Sequence, residues 1–503
     1  MSTPSKAARR TLCWLLLLAG ARLLLHVVLN RNYGFHRDEL AVLDDARRLA
    51  WGYVAYPPLT PALGHLELLL LGPSLAGFRF FAALAQCAAM VFAGLIAREL
   101  GGQRGAQLLA ALAVAATPFS LLTGSEFMYT AFDGLWWVVL AWMTVRLANN
   151  RDPRWWLAIG LVVGLGMLTR YTMLFCVAGL LAGVFATPLR QQLRTPWPWV
   201  GAALSLLVFA PNAWWQFRHG FISYEFLQQI HARDLRIGRT DGFLLAQLYA
   251  NAGPLLLPLW LAGLWFVAFA RAGARWRVLA WLYVLPLLLF WLARGRSYYL
   301  APAYPMLLAA GAVVCEHALA RLRPRAARWS RLAIGAGMAC ALAMAAAIAL
   351  PWAPVNSPGW RLSRAAHDNF AEQIGWPQYV AQVAAVYRAL PAAERARAGI
   401  YANNYGEAGA IDLYGPALGL PRAISPVNSY WYRGYGPLPP TTVIVLGDDA
   451  EGISDTPAHC TLAARMRNRE GVANEETGHP DIYVCRELRV PWSRLWPARP
   501  DFG

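Results

Sequence analysis

Read from its first residue, the chain alternates long apolar runs with short polar connections. The runs fall near 11–29, 80–97, 106–123, 131–148, 155–169, 171–187, 199–217, 244–269, 278–293, 298–320 and 332–350. Most approach the roughly 18 to 25 residues that a helix needs to cross bilayer hydrocarbon. The pattern predicts about 11 transmembrane helices. One place is ambiguous: Arg170 either separates two short spans within 155–187 or sits inside one broken helix. After Pro351 the pattern turns polar, and it predicts helices near 368–390 and 405–414 and strands near 398–402, 441–447 and 481–486. The expected fold is therefore a multi-span α-helical membrane domain over 1–351 followed by a small α/β domain over 352–503.

Composition narrows the class further. Of the 503 residues 57% are hydrophobic and only 15% are charged, where a soluble protein carries about 25% charge. Disordered, collagenous and disulfide-scaffold chains are excluded on the same grounds. The net charge of +17 points to nucleic acid only until the charges are located. Lys6 is the sole lysine, and many of the arginines lie in short connections between apolar runs, as the positive-inside bias places them. With the N-terminus cytoplasmic, the inner connections 1–10, 98–105, 146–154, 188–198, 270–277 and 321–331 hold 18 basic residues. No basic stripe interleaved with aromatics is present, so no nucleic-acid partner is expected. This orientation puts the loops 30–79 and 218–243 and the whole tail outside, at the extracytoplasmic face.

Chemistry is therefore sought on that face. The loop 30–79 carries Tyr33-Gly-Phe-His36-Arg37-Asp38-Glu39-Leu40 and, later, Tyr56-Pro-Pro-Leu59. Asp38 and Glu39 open a helix whose apolar positions Leu40, Leu43, Ala46 and Leu49-Ala50 suit lying flat on the membrane. Carboxylates in a first turn are favourable with the helix dipole. A carboxylate at the dry edge of a bilayer also has a raised pKa and can act as general base. Asp44 and Asp45 are accounted for by i,i+3 pairing with Arg47 and Arg48. Asp133, in Thr130-Ala-Phe-Asp133-Gly, either caps an apolar helix or is a functional acid within a span. Arg170, His231, Arg233, Arg294 and Arg296 supply positive charge on the same face, and Arg is suited to clamping a phosphate. No P-loop, CxxC pair or HExxH motif occurs, which leaves ATP-driven transport unsupported.

These segments together resemble glycosyltransferase family 39, the GT-C-fold relatives of dolichyl-phosphate-mannose protein mannosyltransferases and lipid A aminoarabinose transferases. The similar stretches run from Gly34 to Leu59, Gly124-Ser125 to Asp133, Gly164 to Tyr171, Pro211-Asn212-Ala-Trp-Trp-Gln216, Tyr298-Tyr299-Leu-Ala-Pro302 with Tyr304-Pro305, and Asn404-Tyr-Gly-Glu-Ala-Gly409. The resemblance implies an inverting transfer of a sugar from a polyprenyl-phosphate carrier to lipid A, another glycolipid or a protein. It implies Asp38 as base, with Glu39 beside it and Asp133 as a second acid. Arg170, Arg233, Arg294 and Arg296 would bind the donor phosphate. His36, Arg37, Tyr56, His231, Tyr298 and Tyr299 would line the substrate cavity. The implied location is a bacterial inner membrane, with membrane lipids around the spans. Ala55-Tyr56 stands where aminoarabinose transferases typically have Glu-Lys, which removes a likely metal ligand and a phosphate-binding lysine. No cofactor is required, and a divalent metal is left open. The rival class is a transporter or flippase for lipid-linked sugars, but no internal repeat of the transporter kind is found.

Five of the seven cysteines lie in apolar runs. The other two, Cys460 and Cys485, share the outer tail, an oxidising compartment, and are expected to form a disulfide. It would close a loop worth roughly 3 kcal/mol in the chain-entropy account. Two unpaired thiols are the alternative until the Cα atoms are placed.

Overall fold

The computed structural model describes residues 6–448, 457–498 and 500–502. Helix α1 (Lys6–Leu29) leads into a loop with two helices of its own, α2 (Arg37–Ala46) and α3 (Leu59–Leu71). The bundle continues with α4 (Phe80–Glu99), α5 (Arg104–Ala115), α6 (Pro118–Thr123), α7 (Tyr129–Asn150), α8 (Trp155–Thr169), α9 (Met173–Ala186) and α10 (Trp197–Arg218). It closes with α11 (Ile222–Arg236), α12 (Phe243–Tyr249), α13 (Leu257–Ala268), α14 (Val278–Leu292), α15 (Tyr304–Ala320) and α16 (Pro324–Ala349).

Every apolar run is helical, and the breaks have local causes. Thr117 caps α6 through its side chain and Pro118 takes the first helical position, where a missing N–H costs nothing. Gly253, at φ 87°, and Pro254 interrupt the run between α12 and α13. Five helices are long and apolar enough to cross a membrane: α1, α4, α7, the segment Ser297–Ala320 and α16. Two bent pairs, Met173–Ala186 with Pro188–Arg194 (97°) and Phe243–Tyr249 with Pro254–Ala268 (79°), raise this to seven if each is one span. Helices α5, α8 and α14 are apolar but only 12, 15 and 15 residues long, shorter than straight spans. The chain is a multi-pass membrane protein.

Arg170 lies between two separate helices. The Trp156 indole N–H donates to Gln192 Oε1 at 2.8 Å, which ties the start of α8 to the segment after α9, so the chain turns back at Arg170. Helix α8 then packs along α10, and α9 along α14. Helices α13 and α15 touch through glycine. A Cβ on Gly263 would lie 1.9 Å from the Leu307 carbonyl oxygen, and one on Gly311 1.9 Å from that of Leu259. Small residues admit this backbone approach, which is how membrane helices gain packing energy without a hydrophobic drive.

Beyond the bundle follow α17 (Pro358–Ala366), α18 (Trp376–Ala389), β1 (Ala398–Ala402), α19 (Tyr405–Tyr414), β2 (Ala423–Ile424), α20 (Ser429–Arg433), β3 (Thr442–Leu446), β4 (Pro457–Arg465) and β5 (Asp481–Leu488). The sheet order is β2-β1-β3-β5-β4; β1 is parallel to β2 and β3, and β5 is antiparallel to β3 and β4. Strands β1, β3 and β5 and helix α19 lie where the sequence predicts them. Helix α18 starts at Trp376 rather than near 368, after Gly375 at φ 102°. Cys460 and Cys485 face each other across β4 and β5 and are joined as a disulfide.

The expectation that α2 lies on the membrane is corrected. Leu40, Leu43 and Ala46 are fully buried, because α19 and α3 cover them. The helix stops before Leu49, which is exposed. Leu40, Leu43, Tyr53 and Tyr56 of this loop share one apolar core with Trp376, Ile400, Ile411 and Ile444 of the tail. Loop and tail are thus packed as one body. Gly311→Val is expected to abolish recovery of monodisperse detergent-solubilised protein, whereas Gly335→Val, where nothing lies within 4 Å of the added Cβ, keeps wild-type yield. Equal yields by size-exclusion chromatography would remove the close-approach argument.

Candidate active site

A cavity of about 120 Å³ opens where the α2 loop, the bundle and the tail meet. Asp38, Asp45 and Tyr56 of the first loop line it, with Tyr129 from α7, Arg233 from α11, Arg296, and Tyr405, Asn428, Ser429 and Tyr430 from the tail.

Asp38 sits in the first turn of α2, whose N-cap is His36. The His36 imidazole Nδ1 accepts the Asp38 N–H at 3.1 Å, so this histidine is a cap and does not line the cavity. The Asp38 side chain keeps 37% of its exposure. Its Oδ1 accepts the Tyr405 hydroxyl at 2.7 Å, and the Arg37 guanidinium is 3.9 Å away. Burial pushes the carboxyl up, but His36, Arg37, the Tyr405 hydrogen bond and Arg296 outweigh it and hold it below the ordinary carboxylate value. The expected raised pKa is thereby corrected: the surrounding donors and cations overcome desolvation.

Glu39 points the other way. Its carboxylate, fully buried, accepts Arg79 Nε at 2.8 Å and Nη2 at 2.5 Å, the Phe127 N–H at 2.7 Å and the His36 N–H at 2.8 Å. Arg79 spends its remaining donors on the Gly34 and Asn30 carbonyls. Glu39, expected beside the base, is not among the residues that line the cavity; its hydrogen bonds anchor the first turn of α2 to the bundle.

Arg296 and Arg233 form the cationic wall. Arg296 is clamped bidentately by buried Asp234, at 2.5 and 2.8 Å, and reaches the Tyr298 hydroxyl at 3.4 Å. Arg233 lies 3.9 Å from the same Asp234. Arg170 stands one aromatic layer behind, its guanidinium over the rings of Tyr299 at 4.5 Å and Tyr129 at 4.9 Å. Asp133 is 3.6 Å from Arg170 and is fully buried. Because Met128 is the N-cap of α7, Asp133 does not cap that helix. Nor does it line the cavity; it holds Arg170. His231 and Arg294 are exposed, Arg294 at the positive-φ turn that ends α14, and neither they nor Arg37, Tyr298 and Tyr299 are among the residues that line this cavity.

Asp44 and Asp45, read from the sequence as partners of Arg47 and Arg48, have a stronger partner. Arg433 of α20 bonds both carboxylates, while Arg48 bonds Asp44 and lies 3.2 Å from Asp412 of α19. Asp45 also accepts the Tyr56 hydroxyl at 2.6 Å. Burial pushes its carboxyl up to about 6 against the pull of Arg433. Asp234, Arg79, Arg433 and Tyr405 were not found from the sequence. Asp234 had a readable signal, an acid flanked by arginines in an outer loop, and Tyr405 lies in the stretch Asn404–Gly409 that carries the resemblance; Arg79 and Arg433 are long-range partners with none. Among the described residues no three His, Cys, Asp or Glu side chains stand together to hold a metal ion.

A second, apolar groove of about 660 Å³ lies between α6, the break after α12, α16 and α17. Ser297 and Tyr298 form part of its wall, next in sequence to Arg296.

Residues 55–215 match the sequence model of the family described as dolichyl-phosphate-mannose-protein mannosyltransferase. The lipid A galacturonosyltransferase RgtD of Rhizobium johnstonii is 29% identical over 139 residues, which cover 27% of this chain and 29% of that protein. The match thus spans under a third of that relative. Among solved structures, ArnT from Cupriavidus metallidurans bound to undecaprenyl phosphate superposes with a TM-score of 0.61 at 14% identity, over 94% of this chain and 98% of that one. AglB, the archaeal oligosaccharyltransferase of Archaeoglobus fulgidus, in complex with an inhibitory peptide and a dolichol-phosphate, gives 0.50 at 14% identity, over 86% and 69%. At these identities the structural likeness is one of fold. The resemblance to the GT-C glycosyltransferases is borne out.

Glu39→Gln is expected to lower stability by about 3 to 5 kcal/mol, because it leaves the Arg79 charge buried and uncompensated. Activity per folded molecule should stay within severalfold of wild type. Thermal unfolding beside an activity assay separates the two quantities, and a well-folded but inactive Glu39→Gln protein would return Glu39 to the catalytic set.

Proposed function

We propose that the chain is an inverting glycosyltransferase that moves a sugar from a polyprenyl-phosphate carrier to a glycolipid or protein acceptor of the cell envelope. The observation that carries this reading is one cavity in which an ionised carboxylate, Asp38, is accompanied by the guanidinium groups of Arg296 and Arg233. An inverting displacement needs those two things. The acceptor hydroxyl attacks the anomeric carbon as the bond from that carbon to the phosphate oxygen breaks. Its proton passes to Asp38, and the leaving polyprenyl phosphate takes the bonding electrons as negative charge, which the arginines stabilise. No covalent enzyme intermediate is required.

Asp234 fixes the Arg296 fork, and Asp133 with the Tyr129 and Tyr299 rings holds Arg170 behind it. The apolar groove suits the lipid tail of the donor or of a lipid acceptor, since its wall includes Ser297 and Tyr298, the residues that follow Arg296. The family description and the ArnT and AglB likenesses support a lipid-phosphate donor, and the RgtD match supports a lipid A-like acceptor. We place the cavity at the extracytoplasmic face of a bacterial inner membrane, on the arginine bias of the opposite connections. The tail would then lie in the periplasm.

In proteoliposomes supplied with an undecaprenyl-phosphate-linked sugar and lipid A, wild-type protein is expected to release undecaprenyl phosphate and glycosylate the acceptor. Asp38→Asn should lower the rate roughly 10²- to 10⁴-fold with insertion and unfolding temperature unchanged. Arg296→Ala should also impair turnover. An Asp38→Asn variant that transfers sugar at near wild-type rate would sink the assignment of the base. Translocation of the donor across the vesicle without transfer would mark a flippase instead.

A further inference from the structure

The segment Asn404-Tyr-Gly-Glu-Ala-Gly409 lies far from the first loop in sequence, yet Tyr405, Gly406 and Gly409 meet that loop directly, and Asn404 and Glu407 fix the helix that carries them. The Asn404 side chain caps α19 by accepting the Glu407 N–H at 2.8 Å. The Glu407 carboxyl, fully buried, accepts the Tyr379 hydroxyl at 2.8 Å, locking the helix onto α18. Gly406 and Gly409, three apart and so on one helix face, meet α2. A Cβ on Gly406 would come within 2.7 Å of the Arg37 Cβ, and one on Gly409 within 2.8 Å of the Leu40 backbone. That approach brings the Tyr405 hydroxyl to 2.7 Å from Asp38 Oδ1, under the Arg37 guanidinium at 5.4 Å.

We propose that Tyr405, supplied by the tail, is the positioning residue of the catalytic base: its hydroxyl occupies Oδ1 of Asp38 and leaves Oδ2 to take the acceptor's proton. This rests on the reading of Asp38 as base. Among the described residues Oδ2 receives no hydrogen bond, and both Asp38 and Tyr405 line the cavity. The hydroxyl donates to the ionised carboxylate and stabilises that form over the neutral acid, in the direction found for Asp38. The base works ionised, so activity is present above the Asp38 pKa and lost as pH falls through it. Removing the hydroxyl raises that pKa and moves the loss to higher pH. The other groups facing Asp38 are His36, Arg37 and Asp45 on its own helix, Arg233 from α11, Arg296 ahead of Tyr298, Tyr129 from α7 and Glu372 ahead of α18. All of them remain when only the phenolic oxygen is altered.

The test is the pH dependence of kcat in proteoliposomes for two near-isosteric changes at one position. Tyr405→Phe keeps the ring beneath Arg37 and deletes the donor. It is expected to lower kcat roughly ten- to hundredfold, to leave KM for the lipid-linked donor within about twofold, and to move the acidic limb up by roughly one pH unit. Site-specific 3,5-difluorotyrosine makes the phenol a stronger donor and is expected to move that limb down. A role confined to packing moves the limb in neither protein. Wild-type kcat with an unmoved limb in both, while Asp38→Asn is inactive, overturns the positioning role and leaves the proposed activity standing. An active Asp38→Asn protein overturns the base itself, so the two failures are distinguishable.

Discussion

Glu39 and Arg79 form an ion pair with no solvent access on either side, at the point where the first loop leaves the bundle. Two buried charges are costly unless each is paired and its remaining hydrogen-bonding capacity is filled. Here the carboxylate takes four donors, and the guanidinium reaches two backbone carbonyls besides. The result ties α2 to α4 through Arg79, to the approach of α7 through Phe127, and to its own cap through His36. The first turn of α2 cannot rotate or slide without stranding one of those groups. Asp38 is in that turn, so its direction is set by its neighbour's burial.

Adjacent positions on a helix point about 100° apart, and this explains how two consecutive acids have opposite fates. Glu39, turned inward, is neutralised by a guanidinium and saturated by hydrogen bonds. Asp38, turned to the cavity, keeps partial exposure and meets cations at the edge of contact range rather than in a close pair. A carboxylate locked in a close ion pair is a poor proton acceptor, whereas one whose charge is supported at a distance and by a neutral phenol stays both ionised and accessible. The same division recurs on the cationic wall. Asp234 and Asp133 each hold an arginine, Arg296 and Arg170, and neither acid lines the cavity.

The sequence exposed what repeats or concentrates. Apolar runs gave every bundle helix except the polar α11, which lies in the predicted outer loop 218–243, because burial or membrane insertion of a helix needs a continuous apolar stretch. Period and composition gave α19 and β1, β3 and β5. What stayed hidden depends on the partner chosen across hundreds of residues. Arg79 reads as one more interfacial arginine, and nothing local says that it answers Glu39. Leu40 and Leu43 read as a membrane-facing stripe, since an apolar helix face looks the same whether lipid or another helix covers it. His231 and Arg294 have the right residue type in the right loops, yet a charged side chain at a loop surface is solvated by default. Asp45 looked paired within its own helix, and the competing partner, Arg433, comes from α20.

The tail therefore has a closer relation to the site than a change of composition after Pro351 suggests. In a parallel sheet, ligands gather beyond the carboxyl ends of the strands where the connections diverge to either side. Strand β1 lies between β2 and β3, so that point falls at the residues after Ala402, where α19 begins. Here the place is filled by the first loop of the membrane domain, with Asp38 against Tyr405. Arg433 adds a second tie, across Asp44 and Asp45, and the apolar core beneath both ties is shared by loop and tail. A cavity assembled in this way exists only when the tail is docked, because four of its polar lining residues, Tyr405, Asn428, Ser429 and Tyr430, belong to the tail. The shared core holds those residues at fixed distances from Asp38, which sits on the first loop.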